Sequence, residues 1–340
     1  MEDIKILVIN DEGEDVQLER DIISQSLQGK APTLRVKYIP AKDSATVEKE
    51  LLEADGVITV YTNFDRKTLK KMKKCKIIAT QTIGTNTIDL NAATDEGICV
   101  TNVPDYCVEE VATHTVTLAL SCVRRVSTYN RISREKIWGI DDIYKYGKIH
   151  RLQGRTFGLV SFGNIAKRVA ELMAGFGMKI MAFDPYLDDA VFESCGVKRA
   201  LTLDELFSNC NIISIHTPLT PNTEGMIDIE LIKKMPEGGI LINTSRGGIV
   251  KEEDLYIALK EGILDSAGVD VIHDENEFES PLYDLNNVII TPHIAYYSEE
   301  SLKECRIKAA EQVGDVIGRG ITPKYLVNKE VKGKTKAKLS

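Results

Sequence analysis

The stretch 154–186, GRTFGLVSFGNIAKRVAELMAGFGMKIMAFDPY, constrains the fold most. It reads as strand, tight turn, helix, strand and then an acidic residue. Short β-branched runs alternate with amphipathic stretches on either side of it as well. Such alternation throughout a chain is the pattern of α/β folds built on parallel sheets. In the first part IKILVI (4–9), LRVKYI (34–39), GVITVY (56–61), KIIATQT (76–82) and ICVTNV (98–103) read as strands. In the second part TFGLVSF (156–162), KIMAFD (179–184), IISIHT (212–217), GILINTS (239–245), SAGVDVI (266–272) and VIITPH (288–293) do so. At 340 residues the chain exceeds a single domain of about 100–200 residues, so two domains are expected.

Helical spacing links these runs. Val111, Thr115, Leu118, Ala119 and Cys122 place a helix over 108–125, bridging the two halves. Its apolar content exceeds the needs of a helix exposed on one side, which makes it a candidate subunit interface. Ser298 is the expected N-cap of a second helix, with Leu302, Cys305, Ala309, Val313, Val316 and Ile317 on or near one face. Residues 126–154, with the single Trp138, read as a connecting segment lying over the second domain.

Composition narrows the function classes. Hydrophobic residues at 43% and charged residues at 28% give an ordinary globular mixture, with apolar material for two cores and no need of a disulfide or metal staple. A net charge of −8 disfavours general nucleic-acid binding. The start, MEDIKILVINDEGED, runs from a strand into acidic loop residues and lacks the basic region and long apolar stretch of a signal peptide. No run approaches the roughly 18 apolar residues of a membrane span, so no membrane partner is expected. The seven cysteines (Cys75, Cys99, Cys107, Cys122, Cys195, Cys210, Cys305) are odd in number, scattered and without CxxC spacing, which points to a reducing cytoplasm. No His/Cys/Asp set has metal-ligand spacing, so no metal is expected. The Lys-rich end, KEVKGKTKAKLS, reads as solvated, with 334–340 a disordered basic tail.

In a dinucleotide-binding unit the glycines of the turn let the backbone approach pyrophosphate. The helix N-terminus then meets the phosphates with unpaired N–H groups and the positive end of its dipole. An acidic side chain about 20 residues further on bonds the ribose hydroxyls. Asp184 stands where that residue is needed, and its charge would repel a 2′-phosphate, so NAD is favoured over NADP. At the three glycine positions stand Ser161, Gly163 and Ala166. Alanine suits the third, where helix and strand pack closely. Serine in the first departs from the pattern, with an altered turn or weaker cofactor binding as the expected consequence.

Three later segments, INTSRGGIV (242–250), AGVDVIHDENE (267–277) and ITPHIAYYSEE (290–300), each put a polar group at the end of an expected strand. Ligands bind at the carboxyl ends of strands in an open α/β sheet, so an arginine, a carboxylate and a histidine can converge there. IGTNTID (83–89), the turn after residue 158, FDPY, HTPLTPNTEGMI, NTSRGG, GVDV and TPHIAYYSE follow one another in this order. Through them the chain resembles the D-isomer-specific 2-hydroxyacid dehydrogenases over nearly its whole length. IGTNTIDL is similar to phosphoglycerate dehydrogenases, and NVPDY and HIAYY to D-lactate dehydrogenases. FDPYLDD and PHIAYYSE also resemble the C-terminal-binding-protein corepressors, which share the fold.

The resemblance implies a flavodoxin-like substrate domain made of 1–103 and 297–333. A Rossmann NAD domain over 104–296 would be inserted into it, with catalysis in a cleft whose closure excludes water. It implies that Arg246 clamps the substrate carboxylate and keto oxygen, for which a planar guanidinium is suited. His293 would give its proton to the keto oxygen as hydride arrives and take it back in oxidation. Glu275, chosen over Asp274 and Glu277 by its distance after Asp270, would bond the other imidazole nitrogen and favour the protonated ring. The implied cofactor positions are Ser161, Phe162, Gly163, Asn164 and Ile165 at the turn, with Asp184 and Pro185. His216, Thr217, Pro218, Thr223, Thr244 and Ser245 follow, and Asp270 lies on the nicotinamide side. Ile83 and Gly84 would take the substrate carboxylate through their backbone, and Tyr61, Tyr106 and Tyr296 are pocket positions. His114, His150 and His273 read as structural.

The expected function is interconversion of a 2-keto acid and its D-2-hydroxyacid with NAD, in a homodimer formed through the cofactor domain. The acid stays open among lactate-like, branched or aromatic, phosphoglycerate and other anionic acids. Glu275 disfavours formate chemistry, whose enzymes carry glutamine there. A C-terminal regulatory domain is not expected, since the chain ends soon after the closing helix. The alternative is an NAD(H)-sensing, corepressor-like scaffold with little turnover. The acidic charge and the lack of long modification-rich tails weigh against it.

Overall fold

A computed structural model describes residues 3–10, 15–27, 33–139, 144–275, 277–337 and 339. The acidic residues 11–14, residues 140–143 of the connecting segment, and Lys338 and Ser340 of the tail lie outside the described residues. The chain divides into two units, Met1–Tyr106 with Ser298–Ser340, and Cys107–Tyr297.

In the first unit β1 (Ile4–Asn10), α1 (Gln17–Leu27), β2 (Leu34–Pro40), α2 (Ser44–Leu51), β3 (Gly56–Thr59), α3 (Arg66–Lys71), β4 (Ile77–Thr80), α4 (Leu90–Asp95) and β5 (Cys99–Thr101) alternate. The sheet is parallel throughout in the order β2-β1-β3-β4-β5, the flavodoxin-like order. The strands are near-continuous hydrophobic runs because both faces are covered. Leu7, Ile9, Val57, Ile78 and Val100 pack with Val47, Leu51, Leu69 and Ala92 from the helices on one side. Ile6, Val8, Ile58 and Ala79 are buried on the alternate positions.

The second unit opens with α5 (Val108–Arg124) and α6 (Val126–Arg134). Then come β6 (Thr156–Val160), α7 (Asn164–Ala174), β7 (Lys179–Phe183), α8 (Asp189–Ser194), β8 (Lys198–Arg199), α9 (Leu203–Asn209), β9 (Ile212–Ile215), α10 (Ile229–Ile232), β10 (Gly239–Asn243), α11 (Glu252–Lys260), β11 (Leu264–Val269) and β12 (Val288–Ile290). The sheet order is β12-β11-β10-β9-β6-β7-β8, a Rossmann order whose direction of winding reverses between β6 and β9. Alternate strand residues feed two cores: Val160, Met181, Ile213 and Leu241 on one face, Leu159, Ala182, Ile212 and Ile242 on the other. Two elements lie outside the expected ones. β8 is only two residues long. α6 falls in the expected connecting segment: Val126, Tyr129 and Ile132 recur at helical spacing but only Ile132 is buried, and Arg125 (φ 51°) breaks the helix between it and α5.

The apolar surplus of α5 is used inside its own unit. Val111, Ala112, Val116, Leu118, Ala119 and Cys122 are buried, and the helix packs on α7, β10 and β11. That removes the reason for expecting an interface on it. The closing helix α12 (Glu299–Gly314) packs on α1, β3 and β4 of the first unit. Ser298 caps it: its Oγ accepts the Ser301 N–H and the Ser301 Oγ accepts the Ser298 N–H. The basic tail differs from its expectation as far as residue 337. Lys336 donates its backbone N–H to Gly97 O and its Nζ to Met72 O, both at 3.0 Å, and Ala337 is buried. Among the described residues no helix is long and apolar enough to cross a membrane.

Candidate active site

The polar residues singled out in the second half fall at the carboxyl ends of strands in a single sheet. Ser161 follows β6, Asp184 follows β7, His216 follows β9, Thr244–Arg246 follow β10, Asp270 follows β11, and Thr291 and His293 follow β12. The reversal between β6 and β9 lies among them, the position where open α/β sheets bind ligands.

The turn after β6 is built from its own residues outward. Ser161 takes φ 74°, a left-handed backbone that glycine adopts freely. Its Oγ donates to Asp184 Oδ2 at 3.1 Å, and the Phe162 N–H donates to the same oxygen at 3.0 Å. The Phe162 ring points into the core and stacks on Phe192, centroids 5.2 Å apart. The Tyr186 N–H donates to Asp184 Oδ1 at 3.0 Å. A carboxylate offers about four acceptor positions, so this leaves one of them for a ribose hydroxyl. Gly163 caps α7 without a side-chain hydrogen bond, and a Cβ placed there would meet nothing within 4 Å. The space beside Gly163 at the N-terminal end of α7 is therefore open, as close approach of a phosphate requires. His216 adds an orphan: its Nε2 is buried without a partner among the described residues, and burial pushes the ring down to about 3, so it is neutral. The turn, the open helix end and the unpaired imidazole together fit a dinucleotide.

Other predicted cofactor positions carry internal bonds. Thr223 Oγ donates to Pro218 O at 2.6 Å and folds the loop of Thr217 and Pro218 back on itself. Thr244 Oγ lies 2.9 Å from Thr115 Oγ in the core, and Ser245 Oγ donates to Ile215 O at 2.8 Å. Asn164 and Ile165 form the first turn of α7, and Pro185 is exposed beside Asp184.

Arg246 is fixed by its neighbours. Asn243 donates from Nδ2 to Arg246 O and accepts the Ser245 N–H at Oδ1, both at 3.0 Å. Arg246 donates from Nη1 to Ser245 O at 2.7 Å, and no carboxylate lies within ion-pair distance of it among the described residues. The adjacent Gly247 is obligatory: a Cβ there would stand 1.8 Å from Ile272 O. That close approach brings the Arg246 turn against the segment leading to Glu275. Glu252 also holds this segment, accepting the His273 N–H at 2.8 Å. Glu275 Oε2 lies 2.7 Å from His293 Nδ1. His293 Nε2 has no partner among the described residues, and the ring is about one-third exposed, at 34%.

Asp270, at the end of β11, is buried. It is 1% exposed, and its carboxylate accepts the Thr291 hydroxyl and the N–H groups of Ile294 and Ala295. Burial alone would push this carboxyl up. The hydrogen bonds from His114, Thr291 and the two N–H groups outweigh burial and hold it below the ordinary carboxylate range. Tyr296 is part of the same loop. In the first unit, Tyr61 is exposed after β3. Ile83 and Gly84 follow β4, their carbonyls taken by Asn102 Nδ2 and Thr82 Oγ at 2.6 Å. Their N–H groups have no partner among the described residues. Tyr106 is buried. No group of three or more His, Cys, Asp or Glu that could hold a metal occurs among the described residues.

Sequence reasoning missed the supports: Asn243, Glu252, Thr291 and His114. Asn243 bonds within its own turn, two and three residues on, but the partners of Glu252, Thr291 and His114 lie 21 to 177 residues away, where no local spacing marks them. Gly247 carried a signal in the Gly-Gly pair after Arg246.

Comparison with known proteins gives the family. The family model for D-isomer specific 2-hydroxyacid dehydrogenase, NAD binding domain, matches residues 116–295, and the chain belongs to that family. A D-3-phosphoglycerate dehydrogenase of Methanocaldococcus jannaschii is 36% identical over 286 residues, 83% of this chain and 54% of that relative. The chain spans about half the length of the curated relatives it matches. The D-lactate dehydrogenase of Aquifex aeolicus, complexed with NAD and lactic acid, is 30% identical with TM-score 0.77, covering 91% of this chain and 94% of that one. The NAD+-bound 3-phosphoglycerate dehydrogenase of Entamoeba histolytica is 30% identical with TM-score 0.79, covering 96% of this chain and 99% of that one. The cofactor of this domain is NAD.

Proposed function

We propose that the chain interconverts a 2-keto acid and its D-2-hydroxyacid, with His293 as proton donor and acceptor. The observation that carries the reading is the pair formed by His293 Nδ1 and Glu275 Oε2 at 2.7 Å, which leaves Nε2 unpartnered. Arg246 stands at the end of β10 in the same sheet without a counter-ion among the described residues. Bound NADH supplies the hydride for the keto carbon. Arg246 holds the substrate carboxylate and keto oxygen in a forked contact. His293 releases the proton at Nε2 to that oxygen, and Glu275 keeps Nδ1 engaged so that Nε2 is the working nitrogen. Ser161, Gly163, Asn164 and Asp184 hold the pyrophosphate and ribose. We place the remaining expected contacts on Ile83 and Gly84, whose N–H groups have no partner among the described residues, for the substrate carboxylate, and on Tyr61, Tyr106 and Tyr296 for the substrate side chain. His216, Thr217, Pro218, Thr223, Thr244, Ser245 and Asp270 complete the cofactor contacts.

A homodimer in a reducing cytoplasm, without nucleic-acid or membrane partners, goes with this reading. Burial pushes the thiols of Cys75, Cys122 and Cys210 up to about 12, which makes them poor nucleophiles. Light scattering tests the assembly, and a monomer at micromolar concentration would count against it. The activity test follows NADH absorbance with pyruvate, branched, aromatic and phosphorylated 2-keto acids. Turnover is expected with at least one acid, and His293→Ala is expected to lower kcat/KM about 10²- to 10⁴-fold. Full activity in His293→Ala would remove the histidine from the mechanism. No turnover of any acid by a parent that binds NADH would overturn the proposed reaction.

A further inference from the structure

We infer that His114, acting through Thr291 and Asp270, is a positioning residue for the loop that carries His293. The inference rests on the proposed role of His293. It goes beyond that reading because it places a working group on α5, outside every segment that bears a motif.

The loop needs an external hold. His293 has φ 52°, a left-handed backbone that is unfavourable for a non-glycine residue and persists only where the surroundings over-determine it. Asp270 supplies the determination. The His293 N–H donates to the Asp270 carbonyl at 2.8 Å, the Ile294 N–H to Oδ1 at 3.0 Å, and the Ala295 N–H to Oδ2 at 2.9 Å. Three consecutive N–H groups thus hang on one residue.

The orientation of that carboxylate has its own support. Thr291 Oγ lies 2.5 Å from Asp270 Oδ1 and 3.0 Å from His114 Nε2. A hydroxyl has one proton. Given to the carboxylate, it leaves Thr291 Oγ as an acceptor, so His114 must carry a proton on Nε2. Donation then runs one way, from His114 to Thr291 to Asp270. His114 Nε2 is also 3.5 Å from Asp270 Oδ1. The imidazole sits on a helix packed into the core, a rigid base for the relay. Asp270 is 1% exposed, so water cannot easily replace a lost donor. Losing one frees the carboxylate to turn and the His293 backbone to relax.

Four variants separate the relay from simple packing. His114→Phe removes the donor, and His114→Gln retains an N–H in its place. Thr291→Val breaks the relay, and Thr291→Ser preserves it. Amide hydrogen exchange is measured on the free protein, so it needs no substrate. In His114→Phe and Thr291→Val the Ile294 and Ala295 amides are expected to exchange about tenfold faster or more, with β6 and β7 amides unchanged. With an acid the parent turns over, kcat is expected to fall about 10- to 100-fold while the KM for that acid stays near the parent value. His114→Gln and Thr291→Ser are expected to recover most of both. Exchange at the parent rate in both disruptive variants would overturn the inference, as would His114→Gln behaving like His114→Phe. If the parent turns over no acid, the reaction reading fails by itself, and the exchange rates still decide the role of His114.

Discussion

Ser161 shows how a residue that departs from a motif can still preserve its geometry. The first position of the turn calls for φ > 0, and serine adopts 74° there. Against glycine that conformation costs about 1 kcal/mol or more. The hydroxyl offsets it by donating to Asp184 Oδ2 at 3.1 Å, a bond to a charged acceptor worth about 1.5–3 kcal/mol. Ser161→Ala keeps the strain and removes the bond, so urea unfolding is expected to show a loss of about 1–2 kcal/mol. Ser161→Gly removes both and is expected to stay within about 1 kcal/mol of the parent. Alanine as stable as serine would mean that the hydroxyl contributes nothing. Gly247 is the opposite case, because nothing but hydrogen fits. A Cβ at 1.8 Å from Ile272 O forces backbone apart, so Gly247→Ala is expected to destabilise by at least about 3 kcal/mol. The serine substitution was legible in the sequence and its consequence was not, because the compensating partner is 23 residues away, across the sheet from β6 to β7.

The same division between local and distant signals holds for elements. Strands were legible because hydrophobic runs bounded by turns are a local property. α6 was not, since its apolar residues are only Val126, Tyr129 and Ile132 among polar and charged ones, and it buries only the last. Ser298 was legible as a cap because capping acts within one turn. Ser298→Ala is therefore expected to cost about 1 kcal/mol in urea unfolding. Attachment of α2 to its sheet adds charge to the packing of Val47 and Leu51. Glu50 reaches Lys5 on β1 at 2.5 Å and Lys37 on β2 at 3.0 Å. Hydrogen bonds from Lys5 and then Lys37 pull its carboxyl down to about 2 despite burial. The folded value lies below the unfolded one of about 4.3, so the unfolded state binds its proton first as pH falls. The stability contributed by Glu50 is thus complete above the unfolded value and lost as pH drops through about 2. Glu50→Gln is expected to be less stable than the parent at about pH 6, with the gap closing towards about pH 2. A gap independent of pH would mean that packing of the side chain, not its charge, matters.

For the whole molecule, two parallel sheets follow from alternation alone, and their strand order comes from the structure. The site divides in the same manner. Arg246, Glu275 and His293 stand in recognisable strings, as does Asn243, whereas the partners through which Glu252, Thr291 and His114 act are visible only in the folded chain. The choice between NAD and NADP draws on both levels. Asp184 is 7% exposed, and the turn takes three of its acceptor positions, so its charge is fixed beside the ribose site. The cation nearest at hand, Arg199, is already committed. It pairs with Asp189 at 2.6 Å, donates to Asp184 O at 3.3 Å and lies over the Phe192 ring. A 2′-phosphate would meet a buried carboxylate and no available guanidinium. A ligand bound only to the folded state at about a hundred times its Kd raises stability by about 2.7 kcal/mol. NADH at such a concentration is expected to raise Tm by a matching amount, and NADPH at the same concentration by much less. Equal shifts would mean that Arg199 lets go of Asp189 and turns to the phosphate. In that case Arg199→Ala would abolish the NADPH shift while leaving the NADH shift in place.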